Sequence, residues 1–359
     1  MAHFMMLADQ QIERLSFTAV ALSSVKDALA RMFASPDQEE VRYLRIGSSN
    51  LVMVCACDCK SCEQDQLVNL LSCVQPGRFF VVCLNQGDSE IQAEVSARCL
   101  KLATGEHLCS EVVRLTVPAG RIAALPSVIW ANSLTGMPAE LFWNRSVIDP
   151  EILDLFLPLI SRIIIDSSRL DEAIPLLQRI IKRDIEVVDL EWLRVSEWRR
   201  AIAEIFADDL PSVVLDRLCE VRVITSRCAA SSEELAPGLM IAGWLLASMQ
   251  CHNLCVANDH FVCKCGNRGY FNLRFVEAEE PANQSIAAIS FHGADGDQVS
   301  LKCEESQLSA VINVGQGRNV CEFPYQIHSS QQLLERFYVL GEGLQDYRQS
   351  LKNALSLHK

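Results

Sequence analysis

The 359 residues are enough for about two domains, and a hydrophobic content of 50% gives each domain a core, which excludes a disordered chain. With 32 basic against 45 acidic residues, the net charge of −13 disfavours nucleic acid as a partner, because such a surface repels phosphate groups. The first residues lack the basic and apolar stretches of a secretory signal, and no uncharged apolar window reaches the roughly 20 residues of a membrane span. We therefore expect a cytoplasmic protein that does not bind membranes.

The first part of the sequence predicts an α/β layer domain. A helix is predicted over residues 9–33, and strands then alternate with helices. Strands are predicted at 51–57, 79–84, 91–99, 111–117, 139–143, 162–166 and 186–190. Helices are predicted between them at 63–73, 118–128, 151–160 and 170–182. Residues 91–99 alternate strictly between apolar and polar side chains, which predicts a strand with one exposed face.

After residues 208–211 the pattern changes to an apolar helix, several antiparallel-type strands and a closing helix, which is typical of an α+β domain. We therefore expect an N-terminal mixed α/β layer domain over residues 1–210, followed by a smaller α+β domain with an antiparallel sheet over residues 211–359. Phe271, Leu273 and Phe275 alternate with polar residues on one predicted strand. The closing helix, within 331–359, is predicted to cover that apolar face.

Local enzyme motifs are missing from the sequence. There is no P-loop, no H-E-x-x-H and no G-x-S-x-G, and Gly315-Gln316-Gly317 lacks the third glycine of a dinucleotide site. A catalytic triad assembled from distant segments would leave no such motif. The sequence predicts no catalytic, cofactor-binding or metal-binding residue.

The 16 cysteines form the strongest local chemical signal. Two groups stand out: Cys55, Cys57, Cys59 and Cys62, and Cys251, Cys255, Cys263 and Cys265. Each could be a zinc site, a redox-active pair or a set of ordinary reduced thiols. Alternate residues of a strand lie about 6.6 Å apart, which is too far for one tetrahedral zinc ion. Lys60 favours the thiolate of its neighbours, which keeps redox chemistry open, whereas cysteines such as Cys83 and Cys303 are predicted to fill the core.

Residues 186–209 combine two tryptophans with several arginines. Ser196 is predicted to cap a helix whose apolar face has the spacing of Trp198, Ala201, Ile202, Ile205 and Phe206. Trp192 precedes this helix, and Arg199 and Arg200 point away from its apolar face. Such a segment is either core with a solvated face or a docking surface, because tryptophan and arginine dominate interface hot spots.

The same segment, DLEWLRVSEWR at residues 189–199, resembles the D-L-x-W-x-R-L-x-x-W-R motif of the OpcA family, the glucose-6-phosphate dehydrogenase assembly proteins, with Val195 in place of leucine. Other segments resemble the family in the same order. PGRFFVV resembles its P-x-R-x-x strand, MPAELFW its P-x-x-L-W-W strand, with Phe142 in place of the first Trp, and IIIDSSRL its I-V-D-S segment. LMIAGWLLASM resembles its G-W-L-A helix, and LLERFYVLGEGLQDYRQSL its closing helix. The resemblance covers about residues 76–352.

The resemblance implies a non-catalytic accessory protein that binds glucose-6-phosphate dehydrogenase and promotes its active oligomer. Together with the tryptophan and arginine content of residues 186–209, it leads us to four candidates for partner binding: Trp192, Arg194, Arg199 and Arg200. Redox control accompanies this role in photosynthetic members, which adds thioredoxin as a second partner. The cysteine positions of the family do not carry over, because this cluster lies upstream of the matching region, so Cys55, Cys57, Cys59 and Cys62 are redox candidates on the chemistry of their own cluster. No cofactor is implied. A cysteine-based redox sensor and an enzyme of sugar-phosphate metabolism remain the alternatives.

Overall fold

The computed structural model describes residues 12–33, 43–45, 47–55, 62–85, 90–145, 150–170, 173–183, 185–225, 237–257, 259–266, 269–278, 285–304, 306–341, 344 and 346–358. The chain forms two compact units. The first comprises Met1–Asp166, Ile185–Val188 and Leu334–Gly341, and the second Ser167–Asp184, Asp189–Leu333 and Glu342–Lys359. Residues 189–210 thus lie in the second unit. The division at residue 210 stays a prediction about which parts fold independently.

The first unit contains a large sheet with helices between its strands. Its strands are β1 Ile12–Arg14, β2 Thr18–Val20, β3 Tyr43–Arg45, β4 Asn50–Cys55, β5 Arg78–Asn85, β6 Gln92–Lys101, β7 His107–Pro118, β8 Ala139–Asn144, β9 Arg162–Ile165 and β10 Glu186–Asp189. Its helices up to residue 166 are α1 Val25–Met32, α2 Cys62–Val74, α3 Leu125–Asn132 and α4 Pro150–Phe156, with a 3-10 turn at Ala119–Ala124 before α3. The predicted strand and helix positions from residue 51 onward are confirmed to within a few residues.

The strand order of this sheet is β1-β6-β7-β5-β4-β8-β9-β10. Strands β7, β5, β4, β8 and β9 run parallel, whereas β6 is antiparallel to β7. From β7 to β10 the order by chain position is therefore 3-2-1-4-5-6, which is the order of a doubly wound dinucleotide-binding sheet. The predicted α/β layer class is confirmed.

Two local predictions for this unit are wrong. Residues 12–14 and 18–20 form β1 and β2, which pair with β6, and the α-helix is confined to Val25–Met32, directly after a 3-10 turn at Leu22–Ser24. In β6, Ser96 and Arg98 are buried although their face was predicted to be exposed. The Arg98 guanidinium donates to Asn69 Oδ1 at 2.9 Å, so that helix α2 covers this polar face. The alternation of apolar and polar residues could not predict that polar side chains on this face would be buried and hydrogen-bonded to a helix.

The second unit is built on an eight-stranded sheet. Its strands are β11 Leu218–Thr225, β12 Cys251–Ala257, β13 His260–Cys265, β14 Gly269–Glu277, β15 Ile286–Gly293, β16 Gln298–Glu304, β17 Gln307–Val314 and β18 Gly317–Pro324. Further helices are α5 Ala173–Ile180, α6 Leu190–Arg194, α7 Ser196–Ile205, α8 Asp209–Asp216, α9 Pro237–Ser248, α10 Ser330–Leu340, which ends in the first unit, and α11 Tyr347–Ser356. The α+β class is confirmed.

The sheet order is β12-β13-β14-β11-β15-β16-β17-β18. All neighbouring strands are antiparallel except β11 and β14, which are parallel. The prediction of a purely antiparallel sheet is therefore wrong at this pair. The difference arises because β11 comes before β12 in the chain but lies between β14 and β15 in the sheet.

The predicted single closing helix is two helices, α10 and α11, with positive φ angles at Gly341 and Asp346 between them. Helix α9, not α11, lies against the sheet near Phe275, since a Cβ added at Gly238 would lie 2.8 Å from the Thr225 side chain and 3.7 Å from the Phe275 ring. Helix α11 packs on α9, where a Cβ at Gly243 would come within 2.3 Å of the Ser350 carbonyl oxygen. The apolar face is thus covered by α9, and glycine permits the close approach of α11.

Candidate functional site

Residues 189–200, which we call the Trp192 segment, fold as the end of β10 followed by two short helices. Asp189 caps α6, because its carboxylate accepts a hydrogen bond from the Glu191 backbone N–H at 3.0 Å. Ser196 does not cap α7 as predicted: the N-cap is Val195, and the Ser196 hydroxyl has no hydrogen-bond partner among the described residues. Helix α7 begins directly after α6 and needs no separate cap, since the Arg199 N–H donates to the Val195 carbonyl at 3.1 Å.

Both tryptophans of the segment are buried, Trp192 with 0% and Trp198 with 1% of its surface exposed. The Trp192 ring meets the edge of the Tyr347 ring at a centroid distance of 5.4 Å. On its other side the Arg199 guanidinium lies 3.5 Å from the Trp192 ring centroid and donates to the Trp192 carbonyl at 3.2 Å. Arg199 therefore holds α7 against α6 by a cation–π contact.

The capping carboxylate also links the segment to α11. Asp189 accepts hydrogen bonds from the Ser167 N–H and from the Tyr347 hydroxyl, each at 3.1 Å, and it is fully buried. Burial and the neighbouring Asp189 raise the pKa of Tyr347 well above its usual value of 10.0. The hydroxyl thus stays neutral and serves as a structural donor. The sequence placed Tyr347 in the predicted closing helix but gave no sign that it would meet Asp189, which is 158 residues away.

The exposed part of the segment consists of arginine side chains. Arg200 is 57% exposed and lies 3.8 Å from Glu197, and Arg194 is 22% exposed and ion-paired to the buried Glu191. Arg194 also donates to the Ser168 hydroxyl at 3.1 Å. The segment thus offers a partner two guanidinium groups, while Trp192 is out of reach.

A pocket of about 110 Å³ lies beside Arg194 and is lined by Trp198, Tyr325 and Ile327. It is smaller than the roughly 300 Å³ at which ligand sites begin. Burial raises the pKa of Tyr325 from 10.0 to about 12, so that its hydroxyl is neutral at physiological pH. Although Glu191 and Arg194 also line the pocket, they are ion-paired with each other. A pocket of this size suits a contact with a protein side chain better than the binding of a substrate.

The cysteine candidates are only partly covered. Cys57 and Cys59, and the side chain of Cys62, lie outside the described residues. Cys55 is fully buried at the end of β4, and burial raises the pKa of its thiol to about 12. Such a thiol stays protonated at neutral pH and is a poor nucleophile.

Five other described cysteines are disulfide-bonded, whereas Cys255 and Cys263 of the second group are free. Cys99 pairs with Cys109 across β6 and β7, and Cys251 with Cys265 across β12 and β13, each with a Cα–Cα distance of 4.1 Å. Cys83, which was predicted to be a core thiol, is also in a disulfide. The strand pairing explains both assigned disulfides, because Cys99 lies opposite Cys109 and Cys251 opposite Cys265. Within the part of the chain that the structure describes, no three His, Cys, Asp or Glu side chains come together as a metal site.

The charged residues of two further motif strands form buried ion pairs in the first unit. Arg78 of PGRFFVV donates to the Glu111 carboxylate at 2.7 Å. Glu140 of MPAELFW accepts from Arg162 at 2.9 Å and from the Tyr338 hydroxyl at 2.7 Å. These groups lie at or near the amino ends of parallel strands, opposite the edge where such sheets bind ligands. We conclude that these motif residues stabilise the sheet.

The carboxyl edge of the same sheet is the ordinary ligand site of its strand order, with the switch point between β4 and β8. A dinucleotide site there requires a glycine-rich turn after the first strand, since only glycine lets the backbone approach the pyrophosphate. Residues 56–61, between β4 and α2, have the sequence ACDCKS and contain no glycine. The residue types of a dinucleotide turn are therefore missing at this position.

None of the described helices combines the length and the apolar character required to cross a membrane.

Two family models match the chain in succession. The first, described as the N-terminal domain of a glucose-6-phosphate dehydrogenase subunit, matches residues 68–182. The second, described as the C-terminal domain of the same kind of subunit, matches residues 185–342. No curated protein sequence matches the chain significantly.

Among solved structures, the chain is similar to biliverdin reductase from Synechocystis sp. PCC 6803, with 10% identity over 85% of this chain and 96% of that chain and a TM-score of 0.45. It is also similar to a 3-ketoreductase from Actinomadura kijaniata, with 9% identity over 86% and 95% of the two chains and a TM-score of 0.46. A putative oxidoreductase from Bacillus subtilis has 10% identity over 86% and 95%, with a TM-score of 0.44.

Proposed function

Because the chain belongs to the OpcA family of glucose-6-phosphate dehydrogenase assembly proteins, we propose that it is a non-catalytic accessory protein that binds this dehydrogenase and promotes its active oligomer. The observation that carries the proposal is the pair of family models, which together match residues from both compact units. An accessory protein needs only to bind the active form better than the inactive one. A preference of about 1.4 kcal/mol changes their ratio tenfold.

The absence of a glycine-rich turn after β4 supports a non-catalytic role. A doubly wound sheet without that turn keeps the scaffold of a dinucleotide enzyme but loses the backbone donors for a pyrophosphate. An enzyme of sugar-phosphate metabolism, the alternative, would instead need convergent basic side chains in a pocket larger than the one beside Arg194.

Within the Trp192 segment, the proposed contacts with the dehydrogenase are Arg194 and Arg200, which are accessible. The other two candidates, Trp192 and Arg199, support the segment and do not contact the partner directly. Trp192 is buried, and the Arg199 guanidinium stacks on the Trp192 ring. An acidic patch on the dehydrogenase is the complementary partner surface.

Mixing the purified chain with its cognate dehydrogenase tests the function. We expect a lower substrate KM of the dehydrogenase or a larger oligomeric mass by light scattering, while an equal mass of an unrelated acidic protein changes neither. Dehydrogenase activity of the chain alone with a nicotinamide cofactor would support the enzyme alternative. No effect on KM, kcat or mass would refute the accessory role.

Redox control through thioredoxin is the second candidate, and it is favoured by the disulfides of the described chain. The proposed partner places the chain in the cytoplasm, where disulfides are uncommon and those that form are often regulatory. If this is correct, reducing the chain with thioredoxin before mixing changes its affinity for the dehydrogenase. An unchanged affinity would leave the disulfides with a structural role.

A further inference from the structure

Residues 119–138 form an exposed segment that is almost free of charge. Although 21% of the whole chain is charged, which predicts about four such residues in twenty, this segment contains only Arg121. Twelve of its residues are exposed, among them Trp130 at 54% and Met137 at 40%. An exposed tryptophan in an uncharged surface is typical of a protein interface, where charged residues are depleted and tryptophan is enriched.

Helix α3, which lies within this segment, has apolar residues both on its buried side and on its exposed side. Leu125 and Ile129 of α3 are buried in the first unit, with 0% and 4% exposure. Ser127, Trp130 and Ala131 are exposed. A surface helix usually carries charged residues on its outer side. Because the core side of α3 already accounts for the packing of the helix, its outer tryptophan is left for another role.

The segment is also held rigidly. Asn50, buried at 1% exposure, accepts a hydrogen bond from the Leu134 N–H at 2.7 Å and donates to the carbonyls of Leu134 and Met137 at 3.1 and 3.3 Å. The buried Arg78 donates to the carbonyl of Asn132 at the end of α3. Three backbone groups after the helix are thus fixed by one buried amide. A surface fixed in this way loses little entropy when it binds.

We propose that the exposed side of residues 119–138, which we call the Trp130 face, docks onto an apolar patch of the dehydrogenase, with Trp130 as the central anchor. The inference rests on the proposed function, and it names a contact surface within the region that the N-terminal family model matches. Arg121, the single charge at its edge, gives the contact an orientation through a carboxylate or carbonyl of the dehydrogenase.

The size of the face and the net charge of the chain favour the dehydrogenase over a second copy of this chain as the partner that binds there. A stable two-fold dimer buries about 20 to 30 residues on each partner. The twelve exposed residues of the Trp130 face are about half of that number. Two copies would also join surfaces that each carry a net charge of −13 without any ion pair between their uncharged faces. A partial contact within a larger complex fits these limits.

The test compares Trp130→Ser with Tyr270→Ser, a control that removes an aromatic ring of similar exposure, 62%, from the second unit. Wild-type binding to the cognate dehydrogenase is measured first by calorimetry, because without it the proposed function itself fails. With binding established, we expect Trp130→Ser to raise Kd about 30-fold or more and Tyr270→Ser to leave it within about twofold. Equal Kd values for wild type and Trp130→Ser would overturn the Trp130 face and leave the proposed function standing.

A photoreactive benzophenone amino acid in place of Trp130 identifies the occupant. In a mixture of the two purified proteins we expect irradiation to join this chain to the dehydrogenase. Cross-linking mainly between two copies of this chain, with a dimer by light scattering that Trp130→Ser abolishes, would overturn the assignment in favour of self-association.

Discussion

The Trp192 segment and the Trp130 face both contain tryptophan and arginine, but the structure uses them in opposite ways. In the Trp192 segment both indoles are buried, and Arg199 stacks on one of them. In the Trp130 face the indole is 54% exposed, and buried Asn50 holds the backbone that follows it. The comparison teaches that a dense aromatic and basic motif can be a packing device, whereas a docking residue can lie in a segment without any motif.

The largest expected effect tests the buried side of this comparison. Trp192→Ala should lower the free energy of unfolding by about 3 to 5 kcal/mol, because it leaves a cavity between α6, α7 and Tyr347. The matched change Trp130→Ala should lower it by less than about 1 kcal/mol, since little buried surface is lost. Urea unfolding of both variants measures the difference. A comparable loss in both would show that Trp130 is part of the core.

The support of the Trp130 face gives the next largest effect. Asn50→Ala removes the hydrogen bonds of the Leu134 N–H and of the Leu134 and Met137 carbonyls to the Asn50 side chain and should lower stability by about 2 to 3 kcal/mol, although the Leu134 carbonyl keeps the Met137 N–H at 3.4 Å. Amide hydrogen exchange should rise at residues 133–137, and affinity for the dehydrogenase should fall although Asn50 is buried. Asn319→Ala, at an exposed asparagine of β18 in the second unit, is the control. Faster exchange together with an unchanged affinity would show that the rigidity of residues 133–137 does not contribute to binding.

A pH effect is expected beside the Trp192 segment. The pKa of Tyr325 is raised to about 12 by burial, so the hydroxyl ionises near pH 10 in the unfolded chain but near pH 12 in the folded one. Its contribution to stability is complete below pH 10 and is lost as the pH rises to 12.

Phenylalanine cannot ionise, so Tyr325→Phe should lack this loss of stability. Between pH 10 and 12 we expect the free energy of unfolding of the wild type to fall by up to about 2 kcal/mol more than that of Tyr325→Phe. Tyr270→Phe, at an exposed tyrosine, is the control. Parallel pH curves for Tyr325→Phe and wild type would contradict a raised pKa.

The smallest effect concerns Arg199. Arg199→Ala removes a cation–π contact and one hydrogen bond to the Trp192 carbonyl and should cost about 1 kcal/mol. Arg200→Ala, which breaks only an exposed ion pair, should change stability by less than about 0.5 kcal/mol. In calorimetric measurements of Kd with the dehydrogenase, Arg200→Ala should lose more affinity than Arg199→Ala, because Arg200 is exposed and the Arg199 guanidinium stacks on Trp192. The reverse order would give Arg199 a direct contact.

The sequence alone determined the strands that are buried on both faces, because a continuous apolar run such as residues 79–84 has few other ways to leave water. It also determined the family, through motifs whose order follows the chain. The sequence did not predict the strands near the N-terminus. Short strands such as β1 and β2 are stabilised by pairing with β6, and the spacing of apolar residues gives no information about that pairing.

Tertiary structure alone decided which motif residues are accessible. Asp189 and Tyr347 are 158 positions apart and meet through a hydrogen bond, and no local spacing specifies such a pair. The parallel pairing of β11 with β14 and the disulfide between Cys251 and Cys265 were equally invisible, since strand neighbours depend on sheet order. How far a side chain is exposed depends on which other parts of the chain pack over it. For this reason Trp192 is buried and Trp130 is exposed, although the residue type is the same.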